Sequence, residues 1–157
     1  MMSAHPAAHE RILYVRLPCN PIFPIGVVYL ADHVHKRFPG VVQEIFDLGA
    51  VPPLDFTRAL DDKIVEFRPT ILAFSWRDIQ IYAPVGGRAG NPLQNAFQFL
   101  YSDNPLDRLQ GAFGSLRMFG DYYGELWRNL GLIRRGYAMA RAQNRHCRVV
   151  VGGGAVS

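Results

Sequence analysis

Two short stretches carry residue types whose spacing suits a bound small molecule. The first is Ser75, Trp76, Arg77 and Asp78, which follows the apolar run TILAF. A small hydroxyl, a flat apolar face and a fixed cation stand side by side there, a set that suits a ligand with both a flat ring system and a phosphate. The alternative is an Arg77–Asp78 pair that only holds the loop. The second stretch is Gly152, Gly153 and Gly154, directly after three valines. Glycines let a ligand or another backbone lie against the chain, and three in a row exceed what a helix cap requires. A plain left-handed turn is the other reading. Asp47 closes another apolar run, where an acid can take ribose hydroxyls or form an Asx turn. Pro24 and Gly26 end the stiff stretch LPCNPIFPIG.

Other chemistries lack their residues. The five histidines form no cluster, and His33 and His35 cannot share a helix face. Cys19 and Cys147 are far apart and make no metal pattern or CxxC pair. There is no GxGxxG, no GxxxxGK[ST], no HExxH and no nucleophile elbow. The chain therefore shows no catalytic residues of its own. A net charge of +4 without a Lys/Arg block gives no specific nucleic-acid signal. No apolar run approaches the length of a membrane span. Residues 1–10 have no apolar signal core and read as a disordered lead. Two scattered cysteines fit a reducing cytoplasm.

The elements that must position these residues alternate. RILYVRLP (residues 11–18) reads as a strand and residues 25–38 as a helix with Val28, Leu30, Ala31, Val34 and Phe38 apolar. Residues 41–49 read as a second strand. A second helix runs from about 55 to 67, with Leu60, Ile64 and Phe67 on one face, and residues 70–76 form a buried strand. This β-α-β-α-β order predicts an α/β fold: a flavodoxin-like, Rossmann-like parallel sheet with helices on both faces. Strands one and three then meet at a topological switch point. Four loops beyond the strand ends become candidates: residues 17–26, 47–49, 75–78 and 152–154.

A helical insertion at about 79–145 separates the third strand from the fourth, CRVVVGG. Asn91–Pro92 and Asn104–Pro105 are plausible N-cap and N1 pairs, with Gln94 and Asp107 placed to reach back to the caps. A third helix, DYYGELWRNLGLIRRGYAMARAQNR, is weakened by Gly131 and Gly136. The aromatic residues from Phe97 to Trp127 read as core first, with a partner surface as the alternative.

In order and spacing these segments resemble the amino-terminal cobalamin-binding domain of cobalamin-dependent radical S-adenosylmethionine enzymes. Pro24 and Gly26 match a Pro-x-Gly that opens the first helix, and Asp47 matches an Asp that ends the second strand. FRPTILAFS (residues 67–75) matches a phrase leading into strand three, and residues 149–153 match a VVVGG strand. The likeness covers roughly residues 11–81 and 146–155. It implies a corrin over the strand ends and a nucleotide tail running toward the glycines. Cobalamin would then be held by Pro24, Gly26, Asp47, Ser75, Trp76, Arg77, Gly152, Gly153 and Gly154. No AspXHisXXGly is present, so no protein histidine ligates cobalt from below.

No CxxxCxxC is present either, so the iron–sulfur cluster and S-adenosylmethionine would belong to a catalytic domain outside this chain, in cis or in trans. That domain would perform methyl transfer, as a methyltransferase, or a rearrangement. The likeness also implies an α/β domain over residues 11–157 that is incomplete at its C-terminus. An apolar edge at CRVVVGG would then favour self-association. The alternative function is a non-catalytic protein-interaction module that uses the helical insertion.

Overall fold

The computed structural model describes residues 10–18, 25–76 and 92–153. The lead expected at residues 1–9, and the positions Pro24, Arg77, Asn91 and Gly154, lie outside them. Four strands, β1 (Arg11–Arg16), β2 (Val42–Asp47), β3 (Ile71–Ser75) and β4 (Arg148–Gly152), form one sheet in the order β2-β1-β3-β4. Every pairing is parallel. Together with α1 (Ile25–Arg37) and α2 (Phe56–Phe67), this is the flavodoxin-like α/β arrangement.

Alternation along each strand assigns the two faces. Leu13, Val15, Leu72 and Phe74 are buried on one face against Phe56, Leu60, Ile64 and Phe67 of α2. Leu132 and Ala140 join them from a later helix, so this face holds the larger core. Ile12 and Tyr14 lie on the opposite face against Val27 of α1, with Ala31, Val34, Ile71 and Ala73 packed alongside. Helices therefore cover both faces, and β1 and β3 flank the switch point. The inward stripe of α1 is Val27, Ala31 and Val34: Ala31 and Val34 are as expected, Val27 takes the place of Val28, and Val28, Leu30 and Phe38 are exposed. Helical spacing back from Ala31 and Val34 fits either valine, and the larger Leu30 and Phe38 stay outside where α1 approaches the sheet.

Polar contacts lock the amino-terminal edge. Glu10 accepts hydrogen bonds from Thr70 (2.9 Å) and Arg148 (2.7 Å), tying β1 to the entries of β3 and β4. The α2 helix ends at Arg68, whose φ of 49° is left-handed, before Pro69. Among the described residues no helix is long and apolar enough to cross a membrane.

Between β3 and β4 lie α3 (Pro92–Tyr101) and α4 (Pro105–Gln143). The chain divides into two compact units, one of Met1–Arg77 with Gly131–Ser157, the other Asp78–Leu130. The two helices expected over residues 104–145 are one, unbroken through Gly111, Gly114, Gly120 and Gly124. Asn104 caps it, accepting from Leu106 N at 3.0 Å. Asp107 accepts from the Ser102 hydroxyl at 3.4 Å. In the first unit, residues 131–143 pack on the α2 face, where Arg135 makes a two-pronged ion pair with Asp61 of α2, Nη2 donating to Oδ2 (2.7 Å) and Nε to Oδ1 (3.1 Å). Gly136 sits under Phe74 there: a Cβ would stand 2.5 Å from the ring's Cζ. In the second unit Phe97, Tyr101, Phe113, Phe119 and Trp127 are more than half exposed, against the expectation of a core. The two helices meet through other residues and leave these outside.

Candidate functional site at the strand ends

The carboxyl ends of the four strands bring one row of residues across the sheet. Register pairs Asp47 with Arg16, Arg16 with Ser75, and Ser75 with Gly152. Partners in register share a face, so all four lie on the α1 side. The row has a charged half and an open half.

The charged half is built on an ion pair. Arg16 Nη1 stands 2.6 Å from Asp47 Oδ2, while Asp47 Oδ1 accepts from Gly49 N at 2.8 Å. The guanidinium is almost fully buried and the carboxylate about one-third exposed (9% and 34%). Asp47 thus forms an Asx-type turn and an ion pair at once. Arg16 is the functional-site candidate that sequence reasoning missed. Its one signal is a cation that closes the apolar run ILYV of β1, which needs a partner if buried.

The open half is a groove of about 330 Å³. Gly26, Val27 and Leu30 of α1 form one wall, and Ala73, Ser75, Val150 and Gly152 lie across from them. Tyr14 lies among these residues, with its hydroxyl 3.0 Å from Gln43 Oε1. Burial pushes the Tyr14 phenol up from its ordinary value, so it stays a neutral donor. Cβ atoms built at Gly26 or Gly152 meet nothing within 4 Å. Both glycines therefore contribute width to the groove rather than contact.

Gly153 does something different. Its φ is +128°, and a Cβ there would stand 2.7 Å from the Trp76 carbonyl carbon and closer still to its oxygen. The ladder continues beside it, with Trp76 N donating to Gly152 O at 2.8 Å and Leu17 N to Ser75 O at 3.1 Å. Gly153 serves backbone-on-backbone approach.

Of the residues singled out in the sequence, Gly26, Ser75, Gly152 and Gly153 meet at this groove. Asp47 lies in the same row, separated from Gly152 by the two strands β1 and β3, on the Arg16 side. The Trp76 side chain packs into the α2-face core, on the other side of the sheet from Ser75, as adjacent strand residues must. Among the described residues no group of three or more His, Cys, Asp or Glu gathers to hold a metal. Cys147 is buried, and that burial raises its thiol pKa, so it stays protonated. Compared with protein-family models, curated proteins and solved structures, the chain matches none, and the chemistry of the site is that of its own residues.

Proposed function

We propose that the chain is the cobalamin-binding part of a cobalamin-dependent radical S-adenosylmethionine enzyme, with the groove on the α1 face taking the nucleotide tail. One observation carries this reading: an apolar groove, widened by Gly26 and Gly152, lies between α1 and the carboxyl ends of β3 and β4, beside the switch point. Ligands of open α/β sheets bind in that crevice. Its volume, about 330 Å³, is at the small end of ligand sites, which run from about 300 to 1,000 Å³. That matches a flat heteroaromatic base better than a whole corrin. The space a Cβ would fill at Gly26 and Gly152 is the space the base would use.

Bound cobalamin would supply a methyl carrier. The chain's own residues would bind and orient it. Val27, Leu30 and Val150 would exclude water from the tail, and Ser75 would offer a hydroxyl at the groove's polar end. The Arg16–Asp47 pair would set a fixed dipole one strand further along. The catalytic domain, with its cluster and S-adenosylmethionine, would act in cis or in trans within a reducing cytoplasm.

Incubation with hydroxocobalamin, desalting and a visible spectrum test this. The wild-type chain should retain the corrin bands, and cobinamide, which lacks the nucleotide tail, should wash out. Gly152→Leu should leave the circular dichroism unchanged and weaken retention at least tenfold, about 1.4 kcal/mol, because leucine fills the groove. A folded wild-type chain that retains no corrin, or a Gly152→Leu chain that binds normally, would refute the reading.

A further inference from the structure

The exposed aromatic and leucine residues of α4 are not scattered. From Leu106 onward they fall at alternating intervals of three and four: Leu106, Leu109, Phe113, Leu116, Gly120, Tyr123, Trp127. That is a repeat of 3.5 residues, the spacing by which helices wind into a left-handed coiled coil. All but Gly120 are more than half exposed, from 54% at Tyr123 to 69% at Phe113. The partner of this stripe is not α3, which meets the opposite side of α4. Cβ atoms at Gly111 would stand 2.6 Å from Asn95 O and Phe99 N, and at Gly114 2.7 Å from the Asn95 side chain. The back of α4 thus carries glycines where α3 approaches closely, and its front is a heptad seam that none of the described residues covers.

We infer that two copies of this chain pair through that seam, with their α4 helices antiparallel. The occupant is a second copy because the seam complements itself. A two-fold axis at Met118 sets Leu106 opposite Leu130, Leu109 opposite Trp127, Phe113 opposite Tyr123 and Leu116 opposite Gly120. Each layer then joins the two seam positions of an antiparallel heptad. The bare helix surface at Gly120, where a Cβ would meet nothing within 4 Å, receives a leucine. A parallel pairing would instead set Gly120 on Gly120, leaving a void, and crowd Trp127 on Trp127.

A second feature fits the same register. Phe99, Leu100, Arg108, Leu109 and Ala112 line a groove of about 320 Å³ between α3 and α4. The antiparallel register brings Trp127 of one copy to Leu109 of the other, at this groove. A large aromatic anchor seated in a partner's pocket is the usual centre of a tight interface. Arg117 and Asp121 stand one turn apart beside the axis, so the two-fold brings two cations and two acids together without net charge. The exposed apolar side chains of the seam offer on the order of 800 Å² per copy, about what each partner of a standard interface buries. This pairing is independent of any ligand at the strand ends.

Size exclusion with light scattering on the full chain tests it. The wild-type chain should be a dimer at low micromolar concentration. Trp127→Ala should weaken the dimer at least tenfold and Leu116→Glu about a hundredfold or more. Both should keep the helical circular dichroism, because these side chains are exposed in the single chain. Gly120→Leu should also weaken it, because the partner's Leu116 loses its space. Oxidative cross-linking adds the orientation: Leu109→Cys chains mixed with Trp127→Cys chains should form mixed pairs in preference to like pairs. A monomeric wild type would overturn the proposal. So would a dimer indifferent to Leu116→Glu, which would place association elsewhere, such as the outer edge of β4. A dimer tightened by Gly120→Leu, or cross-linked mainly between like positions, would mean a parallel pair and overturn it equally.

Discussion

Replacing Gly153 with alanine should destabilise the fold by about 2–4 kcal/mol, and replacing its neighbour Gly152 with alanine should cost nothing. The two glycines are adjacent and differ only in surroundings. At Gly153 a methyl group meets the Trp76 backbone, and the φ of +128° is one that side chains rarely adopt. Relief requires the strand end to shift, which also breaks the hydrogen bond from Trp76 N to Gly152 O. At Gly152 the methyl projects into open space, and the narrower unfolded ensemble stabilises by about 0.4–1 kcal/mol. Thermal melts read the difference directly. At roughly 2–4 °C per kcal/mol for a chain of this size, Gly153→Ala should melt about 5–15 °C lower. Equal melting temperatures for the two variants would show that the Trp76 contact does not constrain the strand end.

Phe74→Ala should be at least as damaging, at about 3–5 kcal/mol, because Phe74 is only 2% exposed and lies between β3 and α4. The informative partner is Gly136. In an isolated helix Gly→Ala stabilises by about 1 kcal/mol. Here the new methyl would stand 2.5 Å from Phe74 Cζ and 3.5 Å from Leu60 Cδ2. Gly136→Ala should therefore destabilise by about 1–3 kcal/mol in spite of propensity. Combined with Phe74→Leu, which withdraws the ring, it should cost less than the sum of the two singles. Chemical denaturation of the four chains measures that coupling. Strict additivity would mean that Phe74 and α4 can separate without cost.

These two positions also show what was legible in advance. The strands announced themselves as short β-rich runs, and the inward face of α2 was correct because Leu60, Ile64 and Phe67 are large and, Val65 apart, the positions between them are charged. The parallel order followed from alternation alone. What failed was anything set by distant partners. Gly136 read as a helix weakness because the ring that requires it is far away in sequence. Arg16 was passed over because its partner, Asp47, becomes a neighbour only once β1 and β2 are in register. Trp76 was grouped with Ser75 by adjacency, although a strand sends neighbours to opposite faces. The stripe on α4 was legible as a stripe, but helical spacing marks an apolar face without saying what covers it. The candidate groove was legible through Gly26, Ser75 and Gly152, whose small size leaves room. Its walls, Leu30 and Val150, were not, since only the fold brings them together.

The strand order has a consequence for how the chain is made. β1 leaves the ribosome first, yet it lies between two strands that follow it, β2 and β3. A two-stranded parallel pair is marginal on its own, so the nascent β1 must wait for β3 before either of its edges is secure. Completion then halts again. Between Ser75 and Arg148 the ribosome must add α3 and all of α4, on the order of 4–14 s at roughly 5–20 residues per second. During that interval the apolar helices have been synthesised while the sheet still lacks β4.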